Sequence, residues 1–264
     1  MTGPERKFAP GAAGQPTSGL GTALPVMIAL DVPDGESALQ LAARFAGIPV
    51  WMKVGMELFY AAGPDVVRRL KAQGHRMFLD LKFHDIPNTV RGAARSAARL
   101  GVDMINVHAA GGTAMMRAAL EGAREGAAEA GVAPPLVIAV TMLTSTSEET
   151  MRSEIGIDAP LGDVVLRYAR LAREAGLAGV VCSAREAAAV KAACGAEFVT
   201  VTPGIRPAGS DAADQARVMT PSAALAAGAD YLVVGRPVTQ AADPRAALLR
   251  LAEEIGAGTD SFSK

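Results

Sequence analysis

The stretch "RMFLDLKFHDIPNTVRGAARSAARLGVDMINVH", residues 76–108, contains one complete structural unit. "RMFLDLK" (76–82) and "MINVH" (104–108) are short β-rich runs. Between them, "NTVRGAARSAARL" repeats apolar residues every three or four positions, with Arg on the other face. Gly101 closes the helical segment, as suits a left-handed cap and a chain reversal into the next strand. Strand, helix and strand in this order predict a parallel pair joined by a crossover.

The unit recurs on both sides. "VMIALDV" (26–32), "WMKVG" (51–55), "LVIAVT" (136–141), "GVVCS" (179–183), "FVTVTPG" (198–204) and "YLVVG" (231–235) bring the candidate strands to eight. "ESALQLAARFA", "DVVRRLKAQ", "TAMMRAALEGAREGAAEA", "DVVLRYARLAREAG" and "AREAAAVKAAC" read as covering helices, and Gly74, Gly131, Gly176 and Gly228 stand where Gly101 does. Eight such units predict an α/β fold, a single-domain (β/α)8 TIM barrel over residues 25–258. A doubly wound open sheet would carry a G-x-G-x-x-G turn after its first strand, and "ALDVPDGES" has none. Residues 1–24, rich in Gly, Ala, Pro and Thr, read as a flexible N-terminal extension.

Composition narrows the partners. Twenty-six Lys and Arg against 27 Asp and Glu leave a net charge of -1 with no long basic block, which argues against a nucleic-acid or anionic-membrane surface. There is no signal-peptide pattern and no charge-free run of membrane-spanning length. Cys182 and Cys194 have neither C-x-x-C spacing nor a nearby histidine pair, so a reduced, cytoplasmic setting is expected, with no metal site. A small-molecule substrate is the remaining expectation.

In a (β/α)8 barrel the chemistry sits where strands end at their C-terminal face. Strand one ends with Asp31, strand two carries Lys53, strand three carries Asp80 and Lys82, and strand five runs into Thr141 and Thr144. Asp80 and Lys82 are two apart and so leave a strand on one face, while Asp85 lies in the following loop. A structural ion-pair network could explain one such pair. Four charges on neighbouring strand ends point instead to chemistry, because buried ion pairs are a weak source of stability. A lysine flanked by carboxylates is held as ammonium, which makes it a proton donor suited to negative charge developing on carbon. The last two strands run into "TPGIRPAG" and "VVGRPVTQ", each offering Gly and Arg (Gly204 and Arg206, Gly235 and Arg236) for a phosphate. The connecting segment "AGSDAADQARVMTP" has the length of a functional lid, with Gln215 as a polar contact.

"ALDVP", "MKVGMELF", "FLDLKFHDIPNTV", "INVHAAGG", "IAVTMLTS", "GVVCSAREA", "VTPGIRPAGSDAADQARVMTP" and "ADYLVVGRPVTQAADP" together resemble the orotidine 5'-phosphate decarboxylase family, in its order and spacing, from about residue 24 to 250. The resemblance implies a cofactor-independent homodimer that makes uridine 5'-phosphate in pyrimidine biosynthesis. It further implies an alternating catalytic array of Lys53, Asp80, Lys82 and Asp85, with Lys82 protonating C6 and Asp80 against the departing carboxylate. Asp85 and Thr89 would reach the partner's site. Asp31 and Lys53 look like ribose contacts, Thr144 lies in the segment meeting the pyrimidine edge, and Arg206, Gln215, Gly235 and Arg236 match phosphate and nucleotide positions. Two alternatives stay open: a related sugar-phosphate decarboxylase or synthase on the same barrel, which typically needs magnesium, and a non-catalytic phosphate-ligand-binding barrel. Outside the array, His75 is expected at the surface, His84 and His108 in structural roles, and Met115, Met116 and Cys182 in the core.

Overall fold

Alternate residues of each strand divide into two apolar clusters, and that division builds the molecule. Met27, Trp51, Phe78, Met104, Ile138 and Val201 gather in the barrel interior. Their neighbours Ile28, Met52, Leu79, Ile105 and Val180 face outward and pack beneath the helices. The structure is a computed structural model, and it describes residues 24–207 and 219–256. Among these, eight strands close in chain order: β1 (Val26–Ala29), β2 (Trp51–Gly55), β3 (Arg76–Phe83), β4 (Met104–His108), β5 (Leu136–Val140), β6 (Gly179–Val181), β7 (Val199–Thr202) and β8 (Tyr231–Val234). Every neighbouring pair is parallel, including β1 with β8.

The helices are α1 (Gly35–Ala43), α2 (Met56–Ala72), α3 (Pro87–Ala98), α4 (Gly112–Ala130), α5 (Glu148–Ser153), α6 (Leu161–Glu174), α7 (Ala187–Cys194), α8 (Pro221–Ala226), α9 (Arg236–Thr239) and α10 (Pro244–Glu254). The eight strands fall where the sequence places them, although β1, β6 and β7 leave the ladder two or more residues early, so that Asp31 and Ser183 stand in the loops above. The span α2 joins two helices across a break at Gly63 (φ 65°, ψ -169°): the second covers "DVVRRLKAQ" up to its cap at Gln73, and the first, from Met56, lies outside the helical segments read from the sequence. The short α5, α8 and α9, together with α10, lie outside the helical segments read from the sequence. Gly74, Gly101, Gly131, Gly176 and Gly228 all take positive φ.

Two features fix the loop after β3. Pro87 opens α3 at its first position, where a missing N–H costs nothing. Helix α3 then lies so close to α4 that a Cβ at Gly122 or Gly126 would collide with the carbonyl oxygens of Arg91 and Arg95. Arg91 pairs with Glu125, and Arg95 and Arg99 with Glu129, along the same contact. Among the described residues, no helix is long and apolar enough to cross a membrane.

Candidate active site

The inward rows of β2, β3 and β4 are apolar at the bottom and polar at the top. Above Trp51, Phe78 and Met104 the next inward residues are Lys53, Asp80 and Asn106, all buried. Asp80 is the hub. Its Oδ1 lies 2.7 Å from Lys82 Nζ and accepts from Asn106 Nδ2 at 2.7 Å, while its Oδ2 is 3.4 Å from Lys53 Nζ. Lys53 Nζ is also 3.3 Å from Asp31 Oδ1, which extends the alternation to Asp31–Lys53–Asp80–Lys82.

Magnitudes decide the charge state of Asp80. Burial, the largest influence, pushes its carboxyl up, but the Lys53 and Lys82 ammoniums and the bonds from Lys82 and Asn106 more than reverse it, leaving it below the usual carboxylate range. Each ion pair is worth about 4 kcal/mol at ~4 Å and an effective dielectric of 20, so two pairs rival an effective desolvation cost of several kcal/mol. Asp80 is therefore an anion between two cations.

Strand β3 does not run straight through this site. Leu79 faces Ile105 and Phe83 faces Val107, so four residues of β3 advance against two of β4. Lys82 absorbs the excess with φ 52°, the one left-handed non-glycine residue among those described. Such a conformation costs roughly 1–2 kcal/mol for an L-residue, and it occurs at the residue whose ammonium contacts Asp80. The Lys82 backbone N–H donates to Asn106 Oδ1 at 2.8 Å.

A cavity of about 230 Å³ opens over the array, lined by Lys53, Asp80 and Lys82 on one side and by Phe78, Val140, Met142 and Val233 on the apolar sides. Thr144, buried, lines it too. On the β7–β8 side, half-buried Arg206 and exposed Arg236 stand close enough that burial and the Arg236 charge both pull the Arg206 guanidinium down from its ordinary value. Gly235 stands beside this pair; a Cβ there would lie 4.0 Å from Asp31 Oδ2. Backbone bonds Arg206 N to Met219 O (3.0 Å) and Met219 N to Gly204 O (3.3 Å) pin the two ends of the β7–α8 connection. Gln215 lies outside the described residues.

Asp85 and Thr89 are not brought to this cavity's array. Both are exposed, Asp85 accepts the Ile86 N–H at 2.6 Å, and Ile86 beside it is 67% exposed. His84 and half-buried His108 bring their rings to 5.4 Å at the top of β3 and β4. Burial first, then the charges of His84 and Lys82, lower the His108 value, partly offset by Asp80. His75 is half-buried where a surface position was expected. Asn106 was not singled out from the sequence; the signal was there, a lone amide in the apolar run "MINVH".

These features define a class: a (β/α)8 barrel whose C-terminal mouth holds an alternating row of carboxylates and ammoniums on one side and a pair of arginines on another. Residues 24–251 match the family described as orotidine 5'-phosphate decarboxylase / HUMPS family, and the chain belongs to it. It is 57% identical to orotidine 5'-phosphate decarboxylase of Moorella thermoacetica, over 87% of this chain and 91% of that protein. It is 54% identical to the protein of the same name from Cutibacterium acnes, over 88% and 96%. Among solved structures, orotidine 5'-phosphate decarboxylase from Lactobacillus acidophilus superposes with a TM-score of 0.79 at 41% identity, covering 88% of this chain and 99% of that one.

Proposed function

We propose that this protein decarboxylates orotidine 5'-phosphate to uridine 5'-phosphate in pyrimidine biosynthesis. The observation that carries the reading is the Asp31–Lys53–Asp80–Lys82 row at the edge of a cavity with apolar sides, within a chain of this family. The C6–carboxylate bond breaks, carbon dioxide leaves, and the electron pair stays on C6. Lys82 then gives its ammonium proton to C6 and is left neutral, with no cofactor in the step. A cation held beside the carbon stabilises the charge as it forms, and it needs no reorganisation when its position is already fixed.

Asp80 holds both ammoniums and faces the departing carboxylate. Asp31 and Lys53 contact the ribose hydroxyls, and Thr144 meets the pyrimidine edge. Arg206 and Arg236, with Gly235 and Gln215, take the phosphate, a dianion that would relieve the repulsion between two neighbouring guanidiniums. The working unit is a homodimer in which Asp85 and Thr89 serve the partner's site; their exposure beside the exposed Ile86 supports that reading. We place the enzyme in the cytoplasm, its two cysteines being buried and not joined in a disulfide.

Purified protein mixed with orotidine 5'-phosphate should lose the substrate's ultraviolet absorbance and yield uridine 5'-phosphate, with or without a chelator. No turnover by folded protein would refute the reading, and turnover abolished by the chelator would favour a magnesium-dependent sugar-phosphate relative.

A further inference from the structure

We infer that Asn106 is a positioning residue that sets both the height of Lys82 and the orientation of Asp80, acting through its two amide ends. The inference rests on the proposed role of Lys82 as proton donor. Asn106 is fully buried on β4, and its side chain bridges the irregular part of β3. Its Oδ1 accepts the Lys82 backbone N–H at 2.8 Å, and its Nδ2 donates to Asp80 Oδ1 at 2.7 Å. The two ends cannot be exchanged: a backbone N–H needs an acceptor and an ionised carboxylate needs a donor, so the neighbours fix the orientation of the amide.

Three facts make this more than a satisfied core amide. First, Lys82 is left-handed, a conformation that persists only when its surroundings hold it. Because β3 has slipped against β4 here, the backbone ladder is interrupted between Leu79 and Phe83, and the Asn106 side chain supplies an acceptor for Lys82 N–H within that interval. Second, Asp80 Oδ1 receives Lys82 Nζ and Asn106 Nδ2 at equal distances of 2.7 Å, so the amide fixes the oxygen that the ammonium then finds. Third, the backbone and the side chain of Lys82 are tied to the same amide, one directly and one through Asp80. The ring Asn106–Lys82 backbone–Lys82 side chain–Asp80–Asn106 closes on itself, and the ammonium is left little freedom along the axis of the cavity.

The test uses the intact protein and two near-isosteric variants, N106L and N106D. For N106L, KM for orotidine 5'-phosphate and the affinity for uridine 5'-phosphate should stay within about threefold of wild type while kcat falls about 100-fold, the loss expected of a donor misplaced by about an ångström. N106D keeps an acceptor for Lys82 N–H but sets a second carboxylate against Asp80, and its kcat should fall at least as far. In both, the Asp80 carboxyl followed by ¹³C NMR should titrate at higher pH than in wild type, a readout that loss of packing elsewhere would not move. Wild-type kcat with an unmoved Asp80 titration in folded N106L overturns the inference; if N106L does not fold, the same result in N106D overturns it. Should wild type itself fail to turn over the nucleotide, the functional reading falls, and the Asp80 titration alone decides whether Asn106 orients the pair.

Discussion

The two ends of the barrel both carry carboxylates, and they use them differently. At the N-terminal end, Asp103 accepts Met77 N at 2.7 Å and Lys71 Nζ at 2.8 Å, and Asp230 accepts Thr200 N, Thr200 Oγ1 and Lys191 Nζ at 2.7, 3.0 and 2.6 Å. Each precedes a strand and binds the backbone of the strand before it, so each fixes register between neighbours. Around them Trp51 meets Tyr231 edge-on at 5.3 Å, Arg76 lies over Trp51, and a cavity of about 320 Å³ is larger than the one at the other end. At the C-terminal end, Asp80 receives no backbone donor among its described partners; it is met by two ammoniums and an amide. Cavity size alone would select the N-terminal end. What separates the ends is whether a carboxylate is tied to the backbone as well as to a lysine or is left to side-chain donors alone.

Lys82→Ala should break the comparison most sharply. Turnover is expected to fall about 10⁴-fold, the upper range for a positioned acid, with substrate affinity retained in isothermal titration. Asp80 keeps Lys53 and Asn106 as partners, so the protein should stay folded, with a lower urea midpoint because one of the two ion pairs that offset the burial of Asp80 is lost. Retained turnover would remove Lys82 from the chemistry.

The next effect tests whether the C-terminal end is shared between chains. Lys82→Ala and Asp85→Ala proteins, each inactive alone, should regain activity when unfolded together and refolded. Random pairing makes half the dimers mixed, each with one complete site, so about a quarter of wild-type activity is expected in a two-fold dimer. No recovery, with mixed dimers present by mass spectrometry, would place Asp85 in its own chain's chemistry or outside it.

At the opposite end, Asp230→Ala should leave kcat within about twofold and cost about 2–3 kcal/mol in urea unfolding, since it removes three hydrogen bonds, one of them charge-assisted on both sides. A large fall in kcat with little change in stability would erase the division between the ends.

The sequence made the N-terminal half of this contrast nearly invisible and the C-terminal half plain. Strand positions were legible because period-two runs and capping glycines recur, and Lys53, Asp80 and Lys82 were legible because charge is rare in such runs. Gly63 and Pro64 mark a true break, since Gly63 leaves helical geometry at φ 65° and ψ -169°, and the helix from Met56 to that break is the part the sequence does not announce. Asn106 shows in the sequence only as a lone amide in an apolar run; what it bonds depends on the slip of β3 and the left-handed turn at Lys82, which no local pattern marks. Asp103 and Asp230 look like ordinary loop acids until the neighbouring strand is in place.

Two histidines sharpen the comparison at its finest. His75, before β3 at the N-terminal end, has its value lowered by burial alone; His108, at the C-terminal end, is lowered by burial and then by the charges of His84 and Lys82. In both, the native state takes up a proton less readily than the unfolded chain. Stability from each is therefore complete above the unfolded value near 6.5 and declines as pH falls from there towards the folded value. His75→Asn and His108→Asn should each make the acid-side decline of the urea midpoint shallower, the smallest effect of the four. Salt separates them. Raising ionic strength screens the part of the His108 shift owed to Lys82 and His84, so the slope attributable to His108 should shrink in 0.5 M sodium chloride (a Debye length of roughly 4 Å) while that of His75 holds. Equal salt responses would mean that the charges at the C-terminal end do not reach His108, and that the array is more insulated than its geometry implies.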